Sequence, residues 1–227
     1  MSYQCTEESF LKDVAEHQQV TLHDDGIYRH IRFKKPDTGC MHFDLVTWPG
    51  YLAYSGDMGC YVFCRLTDMF EFFRTDRDYK KRNGEKLSIN LGYWAEKLQA
   101  VDGNRIESGA TEFSEEKFRS VINEIRVGWI KGNRDLLTKE QRRELWEEVD
   151  SEILNLIDDR GGDAAINAAY DFIHRTDDRD FYFQDLFEHD FTQYTHRFIW
   201  CCYALAWGIQ QYDSALTEAI AKAEAAA

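Results

Sequence analysis

The sequence predicts an α+β fold, with an N-terminal antiparallel β-meander of about four strands and a larger C-terminal helical bundle. Between residues 19 and 65, apolar and polar residues alternate with a period of two, as is typical of a half-buried antiparallel sheet. After Arg65 the apolar residues take a helical spacing that continues towards the end of the chain. Only two prolines occur among 227 residues, which favours long uninterrupted helices.

The register of the first hairpin follows from its apolar pattern. A loop over residues 37–39 sets Arg32 opposite Asp44 on the outer face of the sheet, and Gly39 supplies its left-handed position. Tight turns are expected at residues 48–51 and 55–60. Helices are expected over residues 6–17, 69–73, 88–100, 114–131, 138–158, 163–174 and 191–224.

We expect a single domain over residues 1–227, with residues 1–75 forming mainly the sheet and residues 76–227 the helices. The chain has no internal repeat and no low-complexity linker. Its hydrophobic fraction of 44% and aromatic fraction of 15% are enough for a core, and they exclude a disordered chain.

The sequence predicts a cytoplasmic protein that does not enter a membrane. Its first residues lack the basic start and apolar run of a signal peptide, and the longest apolar stretch, residues 198–209, is about half of what a membrane crossing needs. The six cysteines have no disulfide-type or zinc-type spacing, so we expect free, mostly buried thiols.

Negative charge is concentrated in the C-terminal part of the chain. Residues 135–227 carry 20 acidic and 8 basic side chains, whereas residues 1–134 carry 21 and 19. This distribution argues against direct binding to nucleic acid or to anionic membranes, and it is compatible with a basic partner. A basic segment over residues 74–86 is interpreted as a solvated loop.

The acidic residues of this part predict a partner-binding surface. Carboxylates spaced along a rigid helix can imitate the phosphates of a duplex and occupy a basic nucleic-acid-binding surface. An acidic solvated face that aids solubility is the alternative interpretation. The predicted contact residues are Glu140, Glu144, Glu147, Glu148, Asp150, Glu152, Asp158, Asp159, Asp177, Asp178 and Asp180.

Other residues suggest chemistry only weakly. His174, His189, Asp190 and Asp213 form an alternative metal-ligand set of the kind found in metal phosphohydrolases, although their spacing fits that class poorly. The glycine-rich turn at residues 56–59 lacks the lysine and hydroxyl of a phosphate loop and is interpreted as a hairpin turn. No catalytic residue and no cofactor are predicted.

The outer face of the sheet is a further candidate. Tyr28, His30, Arg32 and Asp44 lie on it and offer aromatic and charged groups to a ligand. A solvated face, or one covered by a helix, is the alternative.

Several motifs resemble an uncharacterised protein family encoded by tailed bacteriophages and prophages. They are His-Ile-Arg-Phe at 30–33, Phe-Asp-Leu-Val-Thr-Trp-Pro-Gly at 43–50, Gly-Asp-Met-Gly at 56–59, Leu-Thr-Asp-Met-Phe-Glu-Phe-Phe-Arg at 66–74, Asn-Leu-Gly-Tyr-Trp at 90–94, Lys-Leu-Gln-Ala at 97–100, and the run from Phe198 to Tyr212. The resemblance covers most of the chain and is least clear in the middle helices. It implies a viral accessory protein inside a bacterial cell, and it carries no catalytic residues.

Charge and resemblance together predict a phage-encoded, non-enzymatic interaction protein. It would bind and inhibit a host defence factor with a basic nucleic-acid-binding surface, such as a nuclease or a CRISPR complex. Two alternatives stay open at this point: a metal-dependent phosphohydrolase, and a phage structural or assembly factor. Catalysis and homodimer formation are also left open.

Overall fold

The computed structural model describes residues 4–75, 87–102, 109–176 and 179–226, so most of the predicted basic segment (residues 76–86) lies outside the described residues. The mixture of helices with an antiparallel sheet confirms the α+β class. Two compact units are present: the sheet unit, Met1–Thr111 with Tyr194–Ala227, and the helical unit, Glu112–Gln193. Folding of the chain as one domain stays a prediction.

The sheet unit contains a six-stranded antiparallel meander, in which each strand pairs with the next along the chain. Its strands are β1 (Gln18–Asp25), β2 (Tyr28–Lys34), β3 (Phe43–Trp48), β4 (Tyr51–Gly56), β5 (Gly59–Cys64) and β6 (Leu98–Val101). Its helices are α1 (Glu7–Asp13), α2 (Met69–Arg74), α3 (Leu91–Ala95) and α8 (His196–Ala225).

The strand count exceeds the prediction of about four. The predicted helix over residues 88–100 is wrong in its second half, because α3 ends at Ala95 and the chain then enters β6. Val101 pairs with Tyr61, and Leu98 pairs with Phe63. Pairing with β5 overrides the local helical pattern here.

The predicted register of β2 and β3 is confirmed, since Arg32 lies opposite Asp44. The conformation of the connecting loop differs from the prediction. The left-handed residues are Asp37 and Met41, not Gly39. The loop is also longer than three residues, because β2 ends at Lys34 and β3 starts at Phe43.

The turn at residues 56–59 is a hairpin turn, as predicted. Gly56 pairs with Gly59 across the ends of β4 and β5. A Cβ on Gly56 would lie 2.2 Å from the carbonyl oxygen of His42, so a side chain cannot fit there without moving the backbone. Gly59 has a φ of 111°, which a side chain would strain. Packing and backbone geometry thus account for both glycines.

One face of the sheet packs on α8. The buried residues of this helix run from Phe198 to Tyr212, whereas Leu216 is exposed. The helix approaches the sheet closely at Gly208, where a Cβ would lie 3.0 Å from Leu45 and 3.1 Å from Phe33. Thr195 begins the helix by accepting a hydrogen bond from the Phe198 amide.

The helical unit has its own core. Its longer helices confirm the predicted ones over residues 114–131, 138–158 and 163–174 to within a few residues, except that a π-helical turn interrupts the second. The elements from residue 111 to residue 194, whose two end residues belong to the sheet unit, are β7 (Thr111–Phe113), α4 (Glu115–Gly132), α5 (Lys139–Val149), the π-helical turn Asp150–Leu154, α6 (Leu156–Arg160), α7 (Gly162–Asp171), β8 (His174–Arg175), β9 (Asp180–Phe181), the 3₁₀ turn Leu186–Glu188, and β10 (Thr192–Tyr194). The buried residues Phe118, Ile122, Leu145, Val149 and Ile153 form the centre of this core.

All six cysteines are free, as predicted, and Cys5, Cys201 and Cys202 are buried. Burial raises the pKa values of the Cys201 and Cys202 thiols well above the ordinary cysteine value, so both thiols stay protonated. In the described part of the chain, no helix combines the length and apolar character that a bilayer crossing requires.

Candidate protein-interaction surface

The predicted acidic residues are carried mainly by one helical run, from α5 through the π-helical turn to α6. Thr138 begins this run with a capping box: its hydroxyl accepts from the Gln141 amide at 3.1 Å, and the Gln141 side chain accepts from the Thr138 amide at 2.9 Å. Leu145 and Val149 face the core, whereas Glu140, Glu144 and Glu147 of α5 are exposed on the other side of the helix.

Most predicted contact residues are exposed. We call the exposed carboxylates of the helical run the acidic face. Its members are Glu140, Glu144, Glu147, Glu152, Asp158 and Asp159. Asp180 is also exposed, in β9. Asp177 and Asp178 lie outside the described residues.

Basic side chains balance only part of this charge. Arg143 lies 3.4 Å from Glu147 one helical turn away, and Arg119 lies 3.8 Å from Asp158. Exposed pairs of this kind contribute about 0–1 kcal/mol each and break readily when a competing cation arrives. The helical unit as a whole carries 21 acidic and 11 basic residues, so its surface stays strongly negative.

Glu148 and Asp150 do not belong to the acidic face, and their predicted role as contact residues gains no support. Glu148 accepts a hydrogen bond at 2.7 Å from Nδ1 of His174, which is 5% exposed. Asp150 accepts one at 2.6 Å from Arg126, which is 1% exposed. Both carboxylates are therefore held by buried side chains, and Asp150 is the counter-charge that the buried guanidinium of Arg126 needs.

Arg126 is bound on several sides. Its guanidinium also donates to the Trp146 carbonyl at 3.0 Å and to the Asn123 side chain. It lies 3.5 Å from the centre of the Trp146 ring, a cation–π contact. The π-helical turn begins at Asp150, whose carbonyl accepts from the Asn155 amide at 2.9 Å. The wider turn therefore coincides with the residue that pairs with Arg126.

The charge density of the acidic face is lower than that of a duplex. From Glu140 to Asp159 the helical run extends about 28 Å at 1.5 Å per residue. Its six carboxylates therefore occur about once per 5 Å, whereas duplex DNA carries one charge per about 1.7 Å of its axis. The face resembles a row of separate acidic contacts more than a continuous phosphate array.

Exposed apolar residues of the helical unit were not predicted from the sequence. Phe187 is 74% exposed. It follows Asp185, whose φ of 56° and ψ of 26° place it in the left-handed region, and Leu186, which is buried. A left-handed aspartate costs about 1 kcal/mol. The turn thus buries Leu186 and presents Phe187 to solvent, with Glu188 beside it in the sequence.

A second apolar pair lies next to the β8–β9 ladder. His174 pairs with Phe181, so Ile173 and Tyr182 take the next opposed positions. Both are more than half exposed, and Gln184 donates to the Tyr182 hydroxyl at 3.0 Å. The exposure of Ile173 and Tyr182 could have been predicted only from an alternation of apolar and polar residues along β8 and β9. Strands of two residues are too short to show such an alternation.

The residues of the alternative metal-ligand set contact other protein groups instead of one another. His174 binds Glu148, and Asp190 accepts from the backbone and side chain of Thr192. Asp213, in the sheet unit, forms a two-pronged ion pair with Arg74 at 2.6 and 3.1 Å. His189 stacks on Phe191. Within the described ranges, no group of three or more His, Cys, Asp or Glu side chains is arranged to hold a metal ion.

The outer face of the sheet carries the predicted polar residues. Asp44 accepts two hydrogen bonds from Arg32 at 2.8 Å, and Nε2 of His30 lies 2.8 Å from the same carboxylate. Burial raises the pKa of Asp44, but the hydrogen bonds from Arg32 and His30 outweigh it and leave this pKa below its usual value. The three side chains satisfy one another, so this cluster stabilises the sheet.

No protein-family model matches the chain, and no curated protein and no solved structure shows significant similarity to it.

Proposed function

We propose that this protein is a non-enzymatic interaction protein whose acidic face binds the basic surface of a protein partner. The observation that supports this most is the row of exposed, weakly neutralised carboxylates on a rigid helical run. A basic surface that normally binds nucleic acid is the best match, because carboxylates and phosphates attract the same lysines and arginines. The partner is then blocked by competition.

The resemblance to phage and prophage proteins gives the proposal a setting. In the cytoplasm of a bacterial host, the partner would be a defence factor such as a nuclease or a CRISPR complex. The lower charge density of the acidic face favours a contact with this protein surface over strict imitation of a duplex.

Phe187 offers an apolar contact in addition to the charged contacts of the acidic face. Charged rim contacts speed up association and are weakened by salt, whereas buried aromatic anchors contribute most of the binding energy in many interfaces. We therefore expect a partner whose basic groove contains an apolar pocket for this ring.

A pull-down from bacterial host lysate with matched variants tests the proposal. The test variant changes Glu140, Glu144, Glu147 and Glu152 to glutamine. The control changes four exposed glutamates of the sheet unit, Glu16, Glu96, Glu218 and Glu224, and so alters the net charge equally. Glu148 is left intact because it pairs with His174.

We expect the wild type and the control to retain the same partner at low salt and to release it at high salt or when duplex DNA is added. The test variant should bind it at least about tenfold more weakly. Phe187→Ala should also weaken binding about tenfold or more, whereas Ile220→Ala, at an exposed position of α8, should not. Equal retention of the partner by wild type and test variant would show that the acidic face is not the contact.

A further inference from the structure

The β8–β9 ladder is fixed against the helices α4 and α5 at two points. Nδ1 of His174 in β8 lies 2.7 Å from the carboxylate of Glu148, near the end of α5. Phe181 of β9 pairs with His174 across the ladder, and its ring packs on Trp129 of α4 with 5.2 Å between the ring centres. The ladder therefore lies alongside α5 within the helical unit.

This contact brings two exposed apolar side chains next to Glu148. Ile173 precedes His174 and Tyr182 follows Phe181, so the two occupy the next opposed positions of the ladder. Side chains alternate along an extended chain, and His174 and Phe181 are buried, so their neighbours point to solvent. Ile173 is 53% exposed and Tyr182 is 52% exposed. We call these two residues the apolar pair.

Three glutamates of α5 form a row that ends at the apolar pair. Glu140, Glu144 and Glu148 follow one another at intervals of four residues, so successive members lie about 6 Å apart along one side of the helix. Glu140 and Glu144 are exposed. The nearby Arg143 is directed to Glu147, at 3.4 Å. The row thus offers two open carboxylates followed by an apolar contact.

We propose that this row binds an extended segment of the partner that carries basic side chains at positions i and i+2 and an apolar side chain at position i+4. Side chains i and i+2 of an extended chain lie on one face about 6–7 Å apart, which matches the step between successive glutamates. The basic groups pair with Glu144 and Glu140, and the apolar side chain packs on Ile173 and Tyr182. The ionic part of this contact rests on the proposed function.

Charge and apolar surface together decide the chemistry of the occupant. A nucleic acid or an acidic protein surface would place like charges against Glu140 and Glu144. A basic segment without an apolar residue would leave the apolar pair in water. A segment with both kinds of side chain on one face satisfies the two parts of the surface at once.

Fluorescence anisotropy with two labelled synthetic peptides of the same composition tests the proposal. The matched peptide contains Lys-Ser-Lys-Ser-Leu. Its isomer contains Lys-Ser-Lys-Leu-Ser, in which the leucine is turned to the opposite face from the lysines in every register. At low salt we expect the full chain to bind the matched peptide about tenfold more tightly, because only this peptide buries its leucine on the apolar pair. Added salt should weaken the binding of both peptides.

Substitutions locate the two parts of the contact. Ile173→Ser should reduce the preference for the matched peptide to less than about twofold, whereas Ile220→Ser, at a similarly exposed position of α8, should leave it unchanged. Glu140→Gln combined with Glu144→Gln should weaken the binding of both peptides, because both use these carboxylates.

Three results would overturn the proposal: no binding of either peptide at low salt, equal binding of the two peptides by the wild type, or a preference that Ile173→Ser does not reduce. If the two peptides bind equally and the double glutamine variant still weakens both, the apolar contact is wrong while the proposed function stands.

Discussion

The buried Arg126 gives one carboxylate of the acid-rich helical unit, Asp150, a structural role that the exposed carboxylates do not have. Its guanidinium is held by Asp150, by the Trp146 carbonyl and ring, and by Asn123. Its Nε has no hydrogen-bond partner among the described residues. Such a group is tolerated only while its counter-charge is in place.

Removing Asp150 should therefore cost more than removing Arg126. We expect Asp150→Ala to lower the free energy of unfolding by about 2 kcal/mol, a moderate value because Asp150 is half-buried. Arg126→Met replaces a buried cation by an apolar chain of similar size and should cost less. Asp159→Ala, at an exposed position, should change the value by less than about 0.5 kcal/mol. Urea unfolding measures all three, and a larger loss for Arg126→Met would contradict this view.

The Asp44 cluster predicts a pH-dependent contribution to stability. Because the folded-state pKa of Asp44 lies below its unfolded value, the stability it contributes is present above about pH 4 and is lost as the pH falls through the folded pKa. We expect Asp44→Asn to lower the free energy of unfolding by about 1–2 kcal/mol at pH 7. The difference from the wild type should shrink at pH 3. A difference that stays constant with pH would contradict the assignment.

At the scale of the elements, α8 depends on a close approach to the sheet. Gly208 lies where a Cβ would touch Leu45, Phe33 and Phe43, all of which are fully buried. A glycine inside a helix weakens it by about 1 kcal/mol relative to alanine, so its presence here serves packing.

A pair of glycine substitutions separates packing from helix propensity. Gly208→Ala should destabilise the protein by about 1 kcal/mol or more, because the core side chains have little room to move. Gly128→Ala in α4, where among the described residues nothing beyond the helix's own backbone lies within 4 Å of the new Cβ, should stabilise it by about 0.5–1 kcal/mol. Thermal unfolding of the two variants measures both signs. Stabilisation by Gly208→Ala would contradict this view, because it would show that the side chains of the sheet move to make room for the new Cβ.

Local sequence patterns predicted the helices and strands well, but they predicted the contacts between residues distant in sequence poorly. The alternation in β2 and β3 was enough to place Arg32 opposite Asp44, since one buried face fixes the register. The helical reading of residues 88–100 was wrong beyond Ala95 because β6 forms only by pairing with β5. The inward turn of Glu148 and Asp150 depends on His174 and Arg126, which are distant in sequence, so helical periodicity could not reveal it.

At the scale of the whole molecule, the described residues form two separate hydrophobic clusters. One lies within the sheet unit and the other within the helical unit. The chain leaves the sheet unit after Thr111 and returns to it at Tyr194, so the helical unit is inserted into it. An inserted segment with its own core has the usual requirements for independent folding.

We expect residues 112–193 expressed alone to fold and to unfold cooperatively. The fragment keeps its core, its capped helices, the Arg126–Asp150 ion pair and the hydrogen bond between His174 and Glu148. Far-ultraviolet circular dichroism followed through urea unfolding is the measurement, with the full chain as reference. A fragment without helical signal would instead support folding of the chain as one domain, as the sequence predicts.

The contact between Arg126 and Trp146 also gives the molecule an optical signal. Trp146 and Trp129 are the two tryptophans of the helical unit, and the guanidinium lies against the ring of Trp146 while the ring stays partly exposed. The emission of an indole responds to a nearby positive charge and to the loss of surrounding water. Trp146 is carried on the same helix as Glu144 and Glu147, so its fluorescence can follow events on that helix without an added dye.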